Sequence, residues 1–159
     1  MPTLAFPSRI APALPTVVVD PPDGWVPTVY PGALLASFAP RPTGEFRPNL
    51  IVTATRHESG FHLPEALAAL VEELMALPEA SLRDVSESTD ISAAKAVAFI
   101  DPEAGTLVQV HVIVLVDQEV CVDLVHLTAS CSAGSIGDDE AALDKIVSSL
   151  AVGRLGEQP

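Results

Sequence analysis

The chain has 159 residues, with eight Lys+Arg against 21 Asp+Glu, a formal net charge of −13 and a sequence pI near 4.4. That balance excludes a protein that grips nucleic-acid phosphates or docks on an anionic membrane, because both need a basic footprint. A hydrophobic fraction of 48% against 18% charged residues excludes disorder of the whole chain, and five Phe, one Trp and one Tyr make the core aliphatic.

Eleven of the 15 prolines fall before residue 49. Residues 1–15 read as a proline-rich N-terminal arm, 16–152 as one domain and 153–159 as a C-terminal tail. Arg9 and the prolines interrupt the start, which lacks the basic region and apolar run of a secretory signal. Val17-Val18-Val19 is a short β-branched run, stopped by the turn Asp20-Pro21-Pro22-Asp23-Gly24. A strand is expected over 25–29, held to a sheet edge by Pro27, followed by strands over Ala33–Ala39 and Asn49–Arg56.

From Pro64 the period changes. Leu67, Leu70, Val71, Leu74 and Leu77 recur at helical spacing, with Glu65 at the positive end and Pro78 as the stop. Strands are expected over 82–88 and 92–100, then over 106–116 and 119–130, with Asp117-Gln118 as a tight turn between the last two. After a loop, Asp138–Ala151 reads as a closing helix with Leu143, Ile146, Val147 and Leu150 on one face. Strands joined by short turns, with two helices, predict an α+β fold: a largely antiparallel sheet with helices packed on it.

Thr106–Val116 is too short to span a bilayer, so no stable membrane insertion is expected. Cys121 and Cys131 fall in one strand, about 33 Å apart, beyond disulfide reach. Two free thiols suit a reducing compartment, so a cytoplasmic location is expected.

In an even-length hairpin, Val108, Val110, Val112, Val114 and Val116 share a face with Cys121, Val125, Leu127 and Ala129, and Asp123 is the one charge there. The opposite face mixes Leu107, Ile113, Leu115, Val120, Val122 and Leu124 with Gln109, His111, His126 and Thr128. Both faces are mostly apolar, so both need cover: helices, the arm, a second subunit or a bound partner. The valine face reads as core beneath a helix. The mixed face, with Leu107, Gln109, His111, Ile113, Val122, Leu124, His126 and Thr128, is the candidate partner-binding surface, because apolar area with sparse polar groups suits recognition.

Residues 17–26 (VVVDPPDGWV) and 46–56 (FRPNLIVTATR), with the Leu/Ala-rich helix, the valine hairpin and the closing helix, resemble the LpqN lipoprotein family of actinobacteria. That family lies within the PsbP-like αβα-sandwich group, beside the Ran-binding Mog proteins and the Eag secretion chaperones. The resemblance spans residues 17–151 and implies a non-enzymatic protein that binds partners or apolar ligands on a sheet face. The chain lacks the family's lipidated cysteine, which favours a cytoplasmic relative.

Other chemistries find little support. Gly134-Ser135-Ile136-Gly137 has the wrong spacing for a nucleophile elbow. Cys121 among valines reads as an inert thiol. His57 and His62 sit in a loop, and His111 with His126 lacks further ligands for a metal. Glu72-Glu73 and Asp138-Asp139-Glu140 read as solvated helix charge. The expectation is therefore a non-enzymatic cytoplasmic adaptor or chaperone with no cofactor. It would engage a protein partner, a secretion client being one such class, and a homodimer would be one way to cover its sheet. The alternative is a carrier of a small apolar ligand such as a lipid.

Overall fold

The valine-rich hairpin is the longest element, and the rest of the molecule is assembled on it. In the computed structural model, which describes residues 3–154, β7 (Gly105–Asp117) and β8 (Cys121–Ser132) pair antiparallel from Leu107↔Ser132 to Asp117↔Val122. The turn is Gln118–Val120 rather than Asp117-Gln118. Asp117 Oδ1 accepts the Glu119 N–H at 2.8 Å, Gln118 N–H donates to the Cys121 carbonyl at 2.9 Å, and Glu119 takes φ 70°. Four residues, Gln118 to Cys121, separate the last pair Asp117↔Val122, so the connection is even in length and each residue keeps its expected face.

On the β8 side follow β4 (Asn49–Glu58), β3 (Leu35–Phe38) and β2 (Val26–Pro27); on the β7 side follow β6 (Ser92–Asp101) and β5 (Ser81–Asp84). The order β2-β3-β4-β8-β7-β6-β5 is antiparallel throughout. β2 is shorter than expected and lies at the edge, where Pro27 costs no ladder bond. The strand expected over 82–88 ends at Asp84, and the residues after it are exposed. β1 (Thr16–Val18) and β9 (Ala151–Gly153) form a separate two-stranded ribbon.

Helix α1 (Leu63–Met75) carries Pro64 in its first turn and buries Leu63, Ala66, Leu70 and Leu74. Helix α2 (Ile136–Ser149) follows a 3-10 turn at Ala133–Ser135, starts before Asp138, and buries Leu143 and Ile146. The helices lie on opposite faces. α2 packs on the valine face with Leu50, Val52, Val112, Val125 and Leu127, flanked by Trp25 and residues of the β1–β9 ribbon. α1 packs on the mixed face with Val97, Phe99, Leu107, Ile113, Leu115 and Val122. One expected solvated charge is instead buried: Asp139, in the first turn of α2, pairs with Arg41 from the loop after β3. Among the described residues, no helix is long and apolar enough to cross a membrane.

Candidate functional site on the sheet face

Register fixes which side chains share the mixed face. β7 contributes Leu107, Gln109, His111 and Ile113, and β8 contributes Val122, Leu124, His126 and Thr128. Pairing of β4 with β8 adds Ile51, Thr53, Thr55 and His57, set beside Thr128, His126, Leu124 and Val122. Thus all eight expected residues do lie on one face.

They do not form one free surface. α1 lies over β5, β6 and β7, and it buries Leu107, Ile113 and Val122 as core. Their part in a binding surface is corrected accordingly: the helix stripe of Leu63, Ala66, Leu70 and Leu74 already removes them from water. His111 is also buried. Gln109, Leu124, His126 and Thr128 are half-buried along the margin of the core, and on β4 Ile51 and Thr53 are half-buried while Thr55 is exposed. The accessible part of the face is therefore centred on β4 and β8.

A hydrogen-bonded chain marks this margin. His111 Nδ1 lies 2.9 Å from His126 Nε2, and His111 Nε2 lies 3.1 Å from Gln109 Oε1. The amide oxygen only accepts, so His111 carries its proton on Nε2, and His126 Nε2–H donates to His111 Nδ1. The Thr128 hydroxyl lies 3.4 Å and 3.5 Å from the same two nitrogens. Burial, and then the neighbouring His126, push His111 from 6.5 down to about 4. Burial also lowers His126, against the opposing charge of Glu73 on α1. Both imidazoles are neutral at pH 7 and hold the face without placing a charge beneath α1.

The valine face resolves its single charge. Asp123, fully buried, is gripped through both carboxylate oxygens by Arg56 of β4, whose Nε and terminal nitrogen donate at 2.8 Å and 2.9 Å. Gln118 Nε2 donates to the same carboxylate at 3.1 Å and to the Ala13 carbonyl at 3.0 Å. Bonding to Asp123 raises the Arg56 pKa. The sequence reading missed Arg56 because its partner lies 67 residues away and only the β4–β8 register joins them.

Cys121 and Cys131 are buried thiols, and burial together with the charge of Asp139 pushes Cys131 up to about 11. Ser135 is hydrogen-bonded to Ser132 at 3.0 Å, with no imidazole on it. Among the described residues, no three His, Cys, Asp or Glu side chains converge as metal ligands. Two clefts remain. One of about 340 Å³ lies at the hairpin tip, and one of about 230 Å³ lies between α2 and the β5–β7 side of the valine face.

No protein-family model matches the chain, and no curated protein matches it significantly by sequence. Solved structures do. LpqN of Mycobacterium tuberculosis, involved in cell envelope biogenesis, superposes with a TM-score of 0.73 at 13% identity, covering 87% of this chain and 84% of that one. The Ran-binding protein Mog1p of Saccharomyces cerevisiae gives 0.56 at 14%, covering 88% and 92%. Cyanobacterial PsbP from Synechocystis sp. PCC 6803 gives 0.52 at 13%, covering 96% and 98%. The chain has the PsbP/Mog-like α+β fold.

Proposed function

We propose that the protein is a non-enzymatic binding module, a cytoplasmic adaptor or chaperone that engages a partner protein through the β4–β8 half of its mixed sheet face. The observation that carries this reading is the incomplete cover of that face. Ile51, Thr53, Thr55, Leu124, His126 and Thr128 form a contiguous patch beside α1, apolar enough for affinity and sparsely polar for register. The fold supports the same reading, since Mog1p, similar in architecture, is a Ran-binding protein. Two free buried thiols suit a reducing compartment. The strong acidity keeps such a protein soluble and repels other acidic chains.

A secretion client is the partner class the family resemblance suggests. The alternative, carriage of a small apolar ligand, draws on the cleft beneath α2, lined by Ala96, Ala98, Val108 and Val110. At about 230 Å³ that cleft is smaller than the roughly 300–1,000 Å³ of ordinary ligand pockets.

The test starts from capture of the partner by the wild-type chain in its native host, followed by calorimetric titration of the purified pair. Leu124→Ser and Thr55→Arg should each weaken binding at least about tenfold. Unchanged affinity in both variants, or extraction of a lipid as the sole bound species, would reject the reading.

A further inference from the structure

The N-terminal arm is a stretch whose charge and exposure run against the acidic body of the molecule. Leu4, Phe6 and Ile10 are 85%, 68% and 72% exposed, an unusual density of bare apolar side chains for thirteen described residues at positions 3–15. Arg9 is the only charged side chain before Asp20, so the arm is basic while the remainder of the chain carries the whole acidic excess. The arm is nevertheless anchored at its root. Pro15 is buried, and the Ala13 carbonyl accepts from Gln118 at the hairpin tip and from Arg56.

Beside that same tip lies the cleft of about 340 Å³. Its floor is apolar, with Leu115 and Val122 buried and Ile91 exposed above them. Its rim carries the carboxylates Asp90 and Asp117, with His62 on the same lining and Glu119 already paired with Arg154 at 3.7 Å. No residue of the chain's own arm lines it; Pro7, Ser8, Pro12 and Ala13 instead bound a separate hollow with Gln118 and Arg154.

We propose that residues 3–12 dock into the hairpin-tip cleft of a second copy of this chain, Phe6 or Ile10 on the apolar floor and Arg9 on the acidic rim, so that two chains exchange arms reciprocally. Charge favours this occupant: the cleft is acidic and apolar, the arm carries Arg9 and no carboxylate beside its apolar side chains, and the acidic bulk of this chain's surface would be repelled. Symmetry permits closure, because arm root and cleft flank the same hairpin tip. A two-fold axis beside the tip therefore brings each arm to its partner's cleft. The arm turns back between Ser8 and Ala11, whose backbones are hydrogen-bonded at 2.8 Å and 3.2 Å; with that turn opened, ten residues reach about 30 Å, enough to cross such an interface. The β4–β8 patch stays free, so arm exchange stands or falls separately from partner binding there.

Light scattering of the full chain over a concentration series at low salt tests this. The wild type should show a mass twice the chain's 16.6 kDa. Phe6→Asp and Arg9→Glu, both at exposed positions, should raise the concentration for half-dimerisation at least about tenfold, with unchanged circular dichroism. Asp90→Arg added to Arg9→Glu should restore it. A monomer at every concentration, a dimer indifferent to Phe6→Asp and Arg9→Glu, or a dimer disrupted only by Leu124→Ser would each overturn the proposal.

Discussion

His111 shows what burial does to an imidazole beneath a helix. Its value of about 4 in the folded protein lies below the 6.5 of the unfolded chain. As the pH falls from 6.5 towards 4, the unfolded state takes up the proton first. The stability that the neutral ring provides is whole above pH 6.5 and is lost through that window, by about 3 kcal/mol in all. Urea unfolding at pH 7 and pH 5 should therefore show the wild type losing about 2 kcal/mol more than His111→Gln; parallel losses would mean that the ring is not held neutral. On the other face, Arg56→Ala would leave the Asp123 carboxylate buried with only Gln118 to satisfy it. We expect a cost of about 3 kcal/mol in urea unfolding, with little recovery in Arg56→Lys, because one ammonium cannot replace the two-pronged contact. A cost below about 1 kcal/mol would place the pair among weak surface bridges.

At the scale of elements, α1 decides how much of the mixed face is left for a partner. Leu74 is buried against the sheet and Met75, its neighbour, is 55% exposed. Leu74→Ala should cost about 2–5 kcal/mol and Met75→Ala less than about 0.5, by thermal or urea unfolding. Equal effects would mean that α1 does not dock as described. Much of this layer was legible in the sequence. The apolar run at helical spacing from Pro64, the β-branched strands and the parity of the hairpin follow from periodicity, which is local. The turn at Gln118–Val120 was not, because Glu119 at positive φ breaks the usual preference for Gly or Asn. Nor was the choice of β4 as the neighbour of β8: either edge of the hairpin could have taken it, and that choice sets which residues border His126. The burial of Leu107, Ile113 and Val122 escaped for the same reason. Composition identifies an apolar face, but only tertiary packing says which helix lies on it.

For the molecule as a whole, four of the eight cations are paired, two of them with buried carboxylates and two with exposed ones. Arg41, Arg56, Lys95 and Arg154 are committed to Asp139, Asp123, Asp84 and Glu119. The exterior is left acidic, and an approaching partner meets a repulsive field unless it is basic or offers apolar area at an accessible patch. Helices cover the sheet on both faces, yet α1 spans β5 to β7 and leaves the β4–β8 strip in partial contact with water. That strip is the surface through which we propose a partner binds. The most direct test is an amide NMR titration of the labelled chain with its captured partner. The account predicts that the largest shifts fall on Ile51–His57 and Leu124–Thr128. Shifts confined to α2 and the cleft it forms with β5–β7 would contradict it.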